Sequence, residues 1–301
     1  MKAKAIYILA LLAMLSTSIE AQLTLTNNAA RQCQEKDYVL ALETIDRALQ
    51  AEDEQNQAFT WYVSGYIHKE IFKEQESSVR TSPHRTTAVA HLEKALILDG
   101  SGEYSEMTRS ALKYLATTYL NDALVMTREI QRSTEGQPEI VYAEFQRIMR
   151  IADPAASLPT YHKELFRKLA QAHYFLWEKD ITQEYHSTRS REYYEKVLAM
   201  DASDCEANYN MAILLYNHGV HKIRKIGSST DIMELIAIQD ECIQLFRSSL
   251  PFAESTFNNC PERMDYFKAM MFINRALGNE DVHDEYKARL EKLIREGQIK
   301  K

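Results

Sequence analysis

A repeat of about fifty residues constrains the fold of this chain more than any other feature. Helical runs end in short acidic joints, and the acidic residues of four joints are Glu52, Asp99, Asp153 and Asp201. Successive joints are 47, 54 and 48 positions apart. A fixed period of this kind is typical of proteins in which each repeat is one supersecondary unit. Only eight Gly and six Pro occur among 301 residues, so the sequence predicts long helices arranged in consecutive pairs.

The run before each joint carries small and apolar residues at positions i, i+4 and i+7. Such positions share one face of a helix. The small members allow a neighbouring helix to approach closely, and the central large residue fills the groove between the two helices. The five stripes are Ala41, Ile45 and Ala48; Ala88, Leu92 and Ala95; Val141, Phe145 and Ile148; Ser190, Tyr194 and Val197; and Cys242, Phe246 and Ser249.

A partner helix follows the joints, with a large residue, then a large and a small residue side by side, then a ring or apolar residue. This spacing resembles the tetratricopeptide repeat, W-x2-L-G-x2-Y followed by A-x3-F and a closing Pro. The resemblance covers most of residues 22–298, but the family's usual unit is only about 34 residues long. The copies are Trp61, Ser64, Gly65 and His68; Leu112, Leu115, Ala116 and Tyr119; Phe166, Leu169, Ala170 and His173; Asn208, Met211, Ala212 and Leu215; and Phe267, Met270, Met271 and Asn274.

The resemblance implies an all-α fold, a right-handed superhelical solenoid of about six antiparallel helix pairs forming a single repeat domain over 22–298. A short tail, 299–301, would follow it. Each pair packs on the next, so that the core is continuous. The long unit requires longer helices or larger turns, and we expect polar loops at 76–87 and 225–231. The pairs are expected at 23–52, 57–99, 104–153, 160–201, 204–254 and 261–297.

In the family geometry, the first helix of each pair lines a concave wall. Tyrosine rings and asparagine amides at inward positions could bind an extended peptide or an amphipathic helix of a protein partner. The alternative is that these tyrosines serve packing between repeats. The candidate partner-binding residues are Tyr62, Tyr66, Tyr114, Tyr174, Tyr209, Asn210, Ile213, Tyr216 and Asn217.

The N-terminus has the pattern of an export signal. Lys2 and Lys4 precede an apolar run over 5–15, and the small residue Ala21 ends the segment. We therefore expect a signal peptide over 1–21, cleaved after Ala21. An apolar run of this length is too short to span a bilayer, which takes about 20 residues. The expected location is the periplasm of a Gram-negative bacterium; a retained signal anchor is the alternative.

The four cysteines are widely spaced and form no CxxC pair, which argues against a metal site. In an oxidising compartment, Cys205 and Cys260 are the pair to test for a disulfide, because each precedes a comparable helix. The alternative is that the cysteines are buried free thiols.

Charge and motifs exclude several functions. Loss of Lys2, Lys4 and Glu20 with the signal peptide changes the formal net charge from −7 to −8, which argues against nucleic-acid binding. The basic run 222–225 is interpreted as a solvated helix end. His218 and His221 lack a further metal ligand at a suitable sequence spacing. No phosphate-binding loop, nucleophile elbow or HExxH helix occurs, so no catalytic residue, metal or cofactor is expected.

We therefore expect an exported scaffold or adaptor that binds a protein or peptide on its concave face, and not an enzyme. A second hypothesis is a cell-envelope enzyme or polysaccharide-handling protein in which the repeats support a cleft. A third is a structural subunit that assembles through its terminal helix pairs.

Overall fold

A computed structural model describes residues 24–260 and 263–299, so the expected signal peptide lies outside the described residues. The described chain forms twelve α-helices and no β-strand. A π-helical turn, Ile71–Gln75, continues α3, and a 3-10 turn, Thr127–Glu129, follows α5. The helices are α1 Thr24–Gln34, α2 Tyr38–Ala48, α3 Ala58–Glu70, α4 Pro83–Leu98, α5 Ser105–Met126, α6 Gln137–Ala152, α7 Pro159–Lys179, α8 Glu184–Met200, α9 Cys205–Arg224, α10 Ile232–Asn259, α11 Met264–Ala276 and α12 Glu280–Arg295.

Consecutive helices pack as six pairs, from α1 with α2 to α11 with α12. The two helices of each pair pack more extensively on each other than on helices of other repeats. The predicted all-α, tetratricopeptide-like arrangement of six helix pairs is therefore confirmed. Its right-handed superhelical course stays a prediction.

The described chain divides into two compact units. The first unit contains α1–α6, and the second contains residues 127–130 with α7–α12. In the first unit α1 packs on α3 and α3 on α5, while in the second α9 packs on α11. The second helix of a pair also packs on the first helix of the next pair in its unit, and this packing is more extensive than that between first helices.

The predicted packing stripes form the core. Every stripe residue is buried except Val141, which is half-buried. Two glycines show how tightly the helices approach. A Cβ built on Gly65 would lie 2.6 Å from Cγ of Leu92, and one on Gly219 would lie 2.6 Å from Cε1 of Phe246. Leu92 and Phe246 are the central residues of their stripes, so the predicted fit of a large residue against a small one is confirmed.

Long helices account for the long repeat: α5, α7, α9 and α10 have 22, 21, 20 and 28 residues. The insert at 225–231 is a loop, as predicted. The loop predicted at 76–87 is shorter, because α4 already begins at Pro83. Ser82 caps this helix by accepting a hydrogen bond from the backbone N–H of Arg85 at 3.2 Å, and proline suits the first helical turn.

The repeated acidic joints have a structural role. Asp153 accepts a hydrogen bond from Lys113 Nζ at 3.0 Å, and Asp201 accepts one from Lys163 Nζ at 2.7 Å. In each case, the lysine lies on the first helix of the pair and the aspartate just beyond the second. These hydrogen bonds lower the pKa of both aspartates. The joints at Asp153 and Asp201 therefore connect the two helices of a pair as well as turning the chain.

Cys205 and Cys260, the pair that the sequence singled out for a test, form a disulfide with a Cα–Cα distance of 6.4 Å. The bond connects the start of α9 to the residue that follows α10. Cys33 and Cys242 are buried free thiols. Burial raises the pKa of Cys33 to about 11, so this thiol stays protonated and unreactive at neutral pH.

Candidate partner-binding surfaces

All nine candidate residues are half-buried, and all lie on the first helices of pairs. The structure brings them together in two groups, one in each unit. We call Tyr62, Tyr66 and Tyr114 the first tyrosine surface. The second tyrosine surface is formed by Tyr174, Tyr209, Ile213, Tyr216 and Asn217. Asn210 is bonded inward and belongs to neither surface.

The first tyrosine surface lines a cavity of about 450 Å³ between α3 and α5. The rings of Tyr62 and Tyr66 have centroids 6.0 Å apart. Lys69 is buried behind them, with Nζ 4.3 Å from the ring centroid of Tyr66 and 5.4 Å from that of Tyr114. Its ammonium also pairs with Glu70. The lysine charge is thus neutralised within the protein, and the cavity presents ring surface to a ligand.

Burial and Glu70 together determine the protonation state of the Tyr66 hydroxyl. Burial, together with the charge of Glu70 and a hydrogen bond to it, raises the pKa of Tyr66 to about 12. The hydroxyl therefore remains protonated and donates a hydrogen bond at neutral pH.

Sequence reasoning missed the charged residues of this cavity, Lys69, Lys73 and Glu106. The sequence did contain a pattern that indicates two of them, Lys69 and Lys73. Positions 62, 66, 69 and 73 follow the i, i+4, i+7, i+11 spacing of one helical face, which continues into the π-helical turn. Extending the tyrosine face along α3 would have found both lysines.

One part of the second tyrosine surface holds neighbouring repeats together. Asn217 Nδ2 on α9 donates a hydrogen bond to Tyr174 Oη on α7 at 2.7 Å and lies 3.4 Å from Glu178 Oε1. Burial, followed by a hydrogen bond to Glu178, raises the pKa of Tyr174. This contact matches the packing role that the sequence left open for the tyrosines.

Another part of the second surface lines a cavity of about 320 Å³ between α9 and α11. The ring of Tyr216 also packs on Phe246, with centroids 5.4 Å apart. The cavity is lined by Ile213, Tyr216, Asn217, Val220, Arg224, Ala269, Phe272 and Ile273.

Two residues of α9 have partners that the sequence did not predict. Asn210 hydrogen-bonds to the buried hydroxyl of Tyr194 in the preceding repeat. Tyr209 packs on Tyr266 of α11, with ring centroids 5.1 Å apart. Periodicity placed these residues on the correct helix but could not show which of their polar atoms are already satisfied.

The described residues contain no group of three or more His, Cys, Asp or Glu side chains that could hold a metal ion. His218 and His221 instead contact separate carboxylates, Glu184 at 3.2 Å and Glu178 at 3.4 Å. Sequence spacing did not reveal these two pairs. No helix within 24–260 or 263–299 has both the length and the apolar character needed to cross a membrane.

No family model and no curated protein matches this sequence. Several solved structures are similar to it. PilF of Pseudomonas aeruginosa shares 14% identity over 91% of this chain and 92% of its own, with a TM-score of 0.31. PilW, described as a widely conserved type IV pilus biogenesis factor, shares 15% over 89% and 91%, with a TM-score of 0.32. The nuclear import adaptor Nro1 of S. pombe shares 12% over 94% of both chains, with a TM-score of 0.32. Scores this low carry no functional argument, and the description of the chain as tetratricopeptide-like helix pairs rests on the packing above.

Proposed function

We propose that this protein is an exported scaffold or adaptor that binds a segment of a partner protein at the two tyrosine surfaces. One observation carries the proposal: three half-buried tyrosines from two successive repeats surround a cavity of about 450 Å³. Tyrosine supplies a large, rigid contact area at a low entropic cost and keeps a hydroxyl for direction.

The chemistry of the first tyrosine surface favours an apolar or aromatic anchor residue on the partner. Lys69 pairs with Glu70 and Lys73 with Glu74, so the cations on this side of the cavity already have counter-charges. Burying a ring or aliphatic side chain among Tyr62, Tyr66 and Tyr114 removes apolar surface from water while both lysines keep their counter-charges.

The test is capture of partners by the protein in its native cells, with crosslinking followed by mass spectrometry. The variants Tyr62→Ala/Tyr114→Ala and Tyr209→Ala/Tyr216→Ala each remove one surface. We expect at least about a tenfold loss of the captured partner for one of them, as for other buried aromatic anchors. Tyr185→Ala, an exposed tyrosine on α8 outside both surfaces, is the matched control. Capture that is equal in all three variants would contradict the proposal.

Export is tested separately. The intact mass of the protein recovered from the native cells should correspond to a chain that begins at Gln22. A chain that retains residues 1–21 and sediments with membranes would favour the signal-anchor alternative.

A further inference from the structure

A groove along α7 lies outside the tyrosine surfaces. Lys168, Ala172, Phe175, Leu176 and Lys179 occur at i, i+4, i+7, i+8 and i+11 and therefore share one helical face. Together with residues 127–130 they line a cavity of about 680 Å³ within the second unit. We call it the α7 groove.

The α7 groove is apolar at its floor and basic at its rim. Phe175 is 54% exposed in it, and the buried Ile130 lies beneath. Lys168, Lys179 and Arg128 border it, and none of the three forms an ion pair with another described residue.

The acidic residue that lines the α7 groove, Glu178, is already engaged by Asn217 and His221. The net charge of the whole chain is −7, but the α7 groove is locally basic. It therefore suits an apolar ligand that carries negative charge.

The first turns of α10 form a second unpartnered surface. Ile232, Met233 and Ile236 are 75%, 74% and 47% exposed. Glu234 and Asp240 are exposed among them, and neither forms an ion pair with another described residue. We call residues 231–241 the α10 tip. Adjacent exposed apolar side chains of this kind mark an interaction surface.

We propose that the α10 tip of one copy of this chain docks into the α7 groove of a second copy. The charges are complementary, since an acidic apolar helix end would meet an apolar groove with a basic rim. The lengths also match. Lys168 and Lys179 are eleven positions apart, or about 16 Å along a helix, and the α10 tip is about 15 Å long. Within one copy α7 and α10 share no substantial packing, so the contact joins two molecules.

The contact joins two different surfaces, so it is either made twice in a closed two-fold dimer, where each tip enters the groove of the other copy, or continued head to tail into longer assemblies or a ring. In both cases association increases with protein concentration. It weakens as the ionic strength rises, because salt screens the charges at the rim. The proposal does not depend on the tyrosine surfaces and can succeed or fail independently of them.

The test is sedimentation velocity on the full mature chain and on charge-reversed variants, in a concentration series up to roughly 100 μM, where a contact of micromolar Kd is populated. Lys168→Glu/Lys179→Glu reverses the charge at the rim of the groove, and Glu234→Lys/Asp240→Lys reverses the charge of the α10 tip. We expect each double variant to lose association by at least about tenfold, because opposite charges become like charges. The chain with all four substitutions should associate again, since both surfaces are then reversed.

Met233→Ser/Ile236→Ser provides a second, charge-neutral variant at exposed positions where folding is not at risk, and it too should reduce association. Circular dichroism confirms that each variant is folded. A wild-type chain that stays monomeric throughout the series overturns the proposal. So does a folded four-substitution chain that fails to regain association. An acidic amphipathic peptide of unrelated sequence that fills the groove of a monomeric wild-type chain would assign the groove to another partner and also overturn it.

Discussion

Single residues set how closely the helix pairs pack. Gly65 and Gly219 lie directly against Leu92 and Phe246, with no room for a methyl group on either glycine. The pattern of small residues facing large ones was visible in the sequence. Which glycine would face which side chain was not, because that depends on the rotation of both helices.

Gly65→Ala should therefore destabilise the protein. The added Cβ would meet Leu92 Cγ at 2.6 Å and the carbonyl oxygen of Ala88 at 3.1 Å. Overpacking of this kind costs typically about 1–3 kcal/mol. The better helix propensity of alanine returns about 1 kcal/mol of this. We expect urea denaturation to show a net loss on the order of 1 kcal/mol.

The matched control is Gly100→Ala, where an added Cβ meets nothing within 4 Å. A Gly65→Ala variant as stable as the control would contradict the packing described for α3 and α4.

A histidine cluster between α3 and α4 should make stability depend on pH. Burial, followed by the charges of His91 and His84, lowers the pKa of His68 from 6.5 to about 4. The unfolded chain binds a proton at this residue below pH 6.5, whereas the folded chain does so only near pH 4. Stability is therefore lost as the pH falls through this window. A shift of this size corresponds to a loss on the order of 3 kcal/mol.

The measurement is the free energy of unfolding at pH 7 and at pH 4.5, for the wild type and for His68→Gln. The variant should lose less stability between the two values. An equal loss in both proteins would show that His68 does not cause the effect.

At the scale of elements, the disulfide fixes the helix pair α9 and α10. Cys205 and Cys260 are 55 positions apart and join the start of α9 to the residue after α10. Closing a loop of this size restricts the unfolded chain and typically contributes about 2–4 kcal/mol.

Reduction should therefore lower the Tm of the wild type but leave that of Cys205→Ala/Cys260→Ala unchanged. Thermal unfolding followed by circular dichroism, with and without reductant, tests this. If a reductant that is shown to open the bond leaves the Tm of the wild type unchanged, the disulfide does not stabilise the protein.

The sequence predicted which segments form helices more accurately than it predicted where those helices end. The stripes at i, i+4 and i+7 identified five of the six pairs, because burial repeats once per turn, and the last pair was identified by the repeat copy that begins at Phe267. One helix end differs from the prediction: α10 passes through Pro251 and ends at Asn259, beyond the predicted 254. Proline removes a backbone donor inside a helix, yet buried residues on both sides, Phe246 before it and Ala253 and Phe257 after it, continue the same packed face. Tertiary packing outweighed the local preference.

At the scale of the whole molecule, the sequence predicted the fold better than it predicted the site. The repeat period required paired helices, and the structure contains them. The nine candidate residues lie on the expected helices, but their roles differ. Asn210 is bonded to Tyr194 and Asn217 to Tyr174, while Tyr62, Tyr66 and Tyr114 line an open cavity. Side-chain direction and hydrogen-bond satisfaction depend on neighbouring repeats, which a periodic pattern does not specify.

Partner binding at the tyrosine surfaces is the central claim, and site-specific photo-crosslinking in the native cells tests it most directly. A photoreactive phenylalanine derivative would replace Tyr62, Tyr216 or, as the control, Tyr185, and the crosslinked products would be identified by mass spectrometry. Partner binding at these surfaces should give crosslinks to a segment of one partner protein from position 62 or 216 and none to that segment from position 185. Crosslinks to that segment from position 185 alone, or no product from either tyrosine surface, would show that the tyrosine surfaces do not bind a partner.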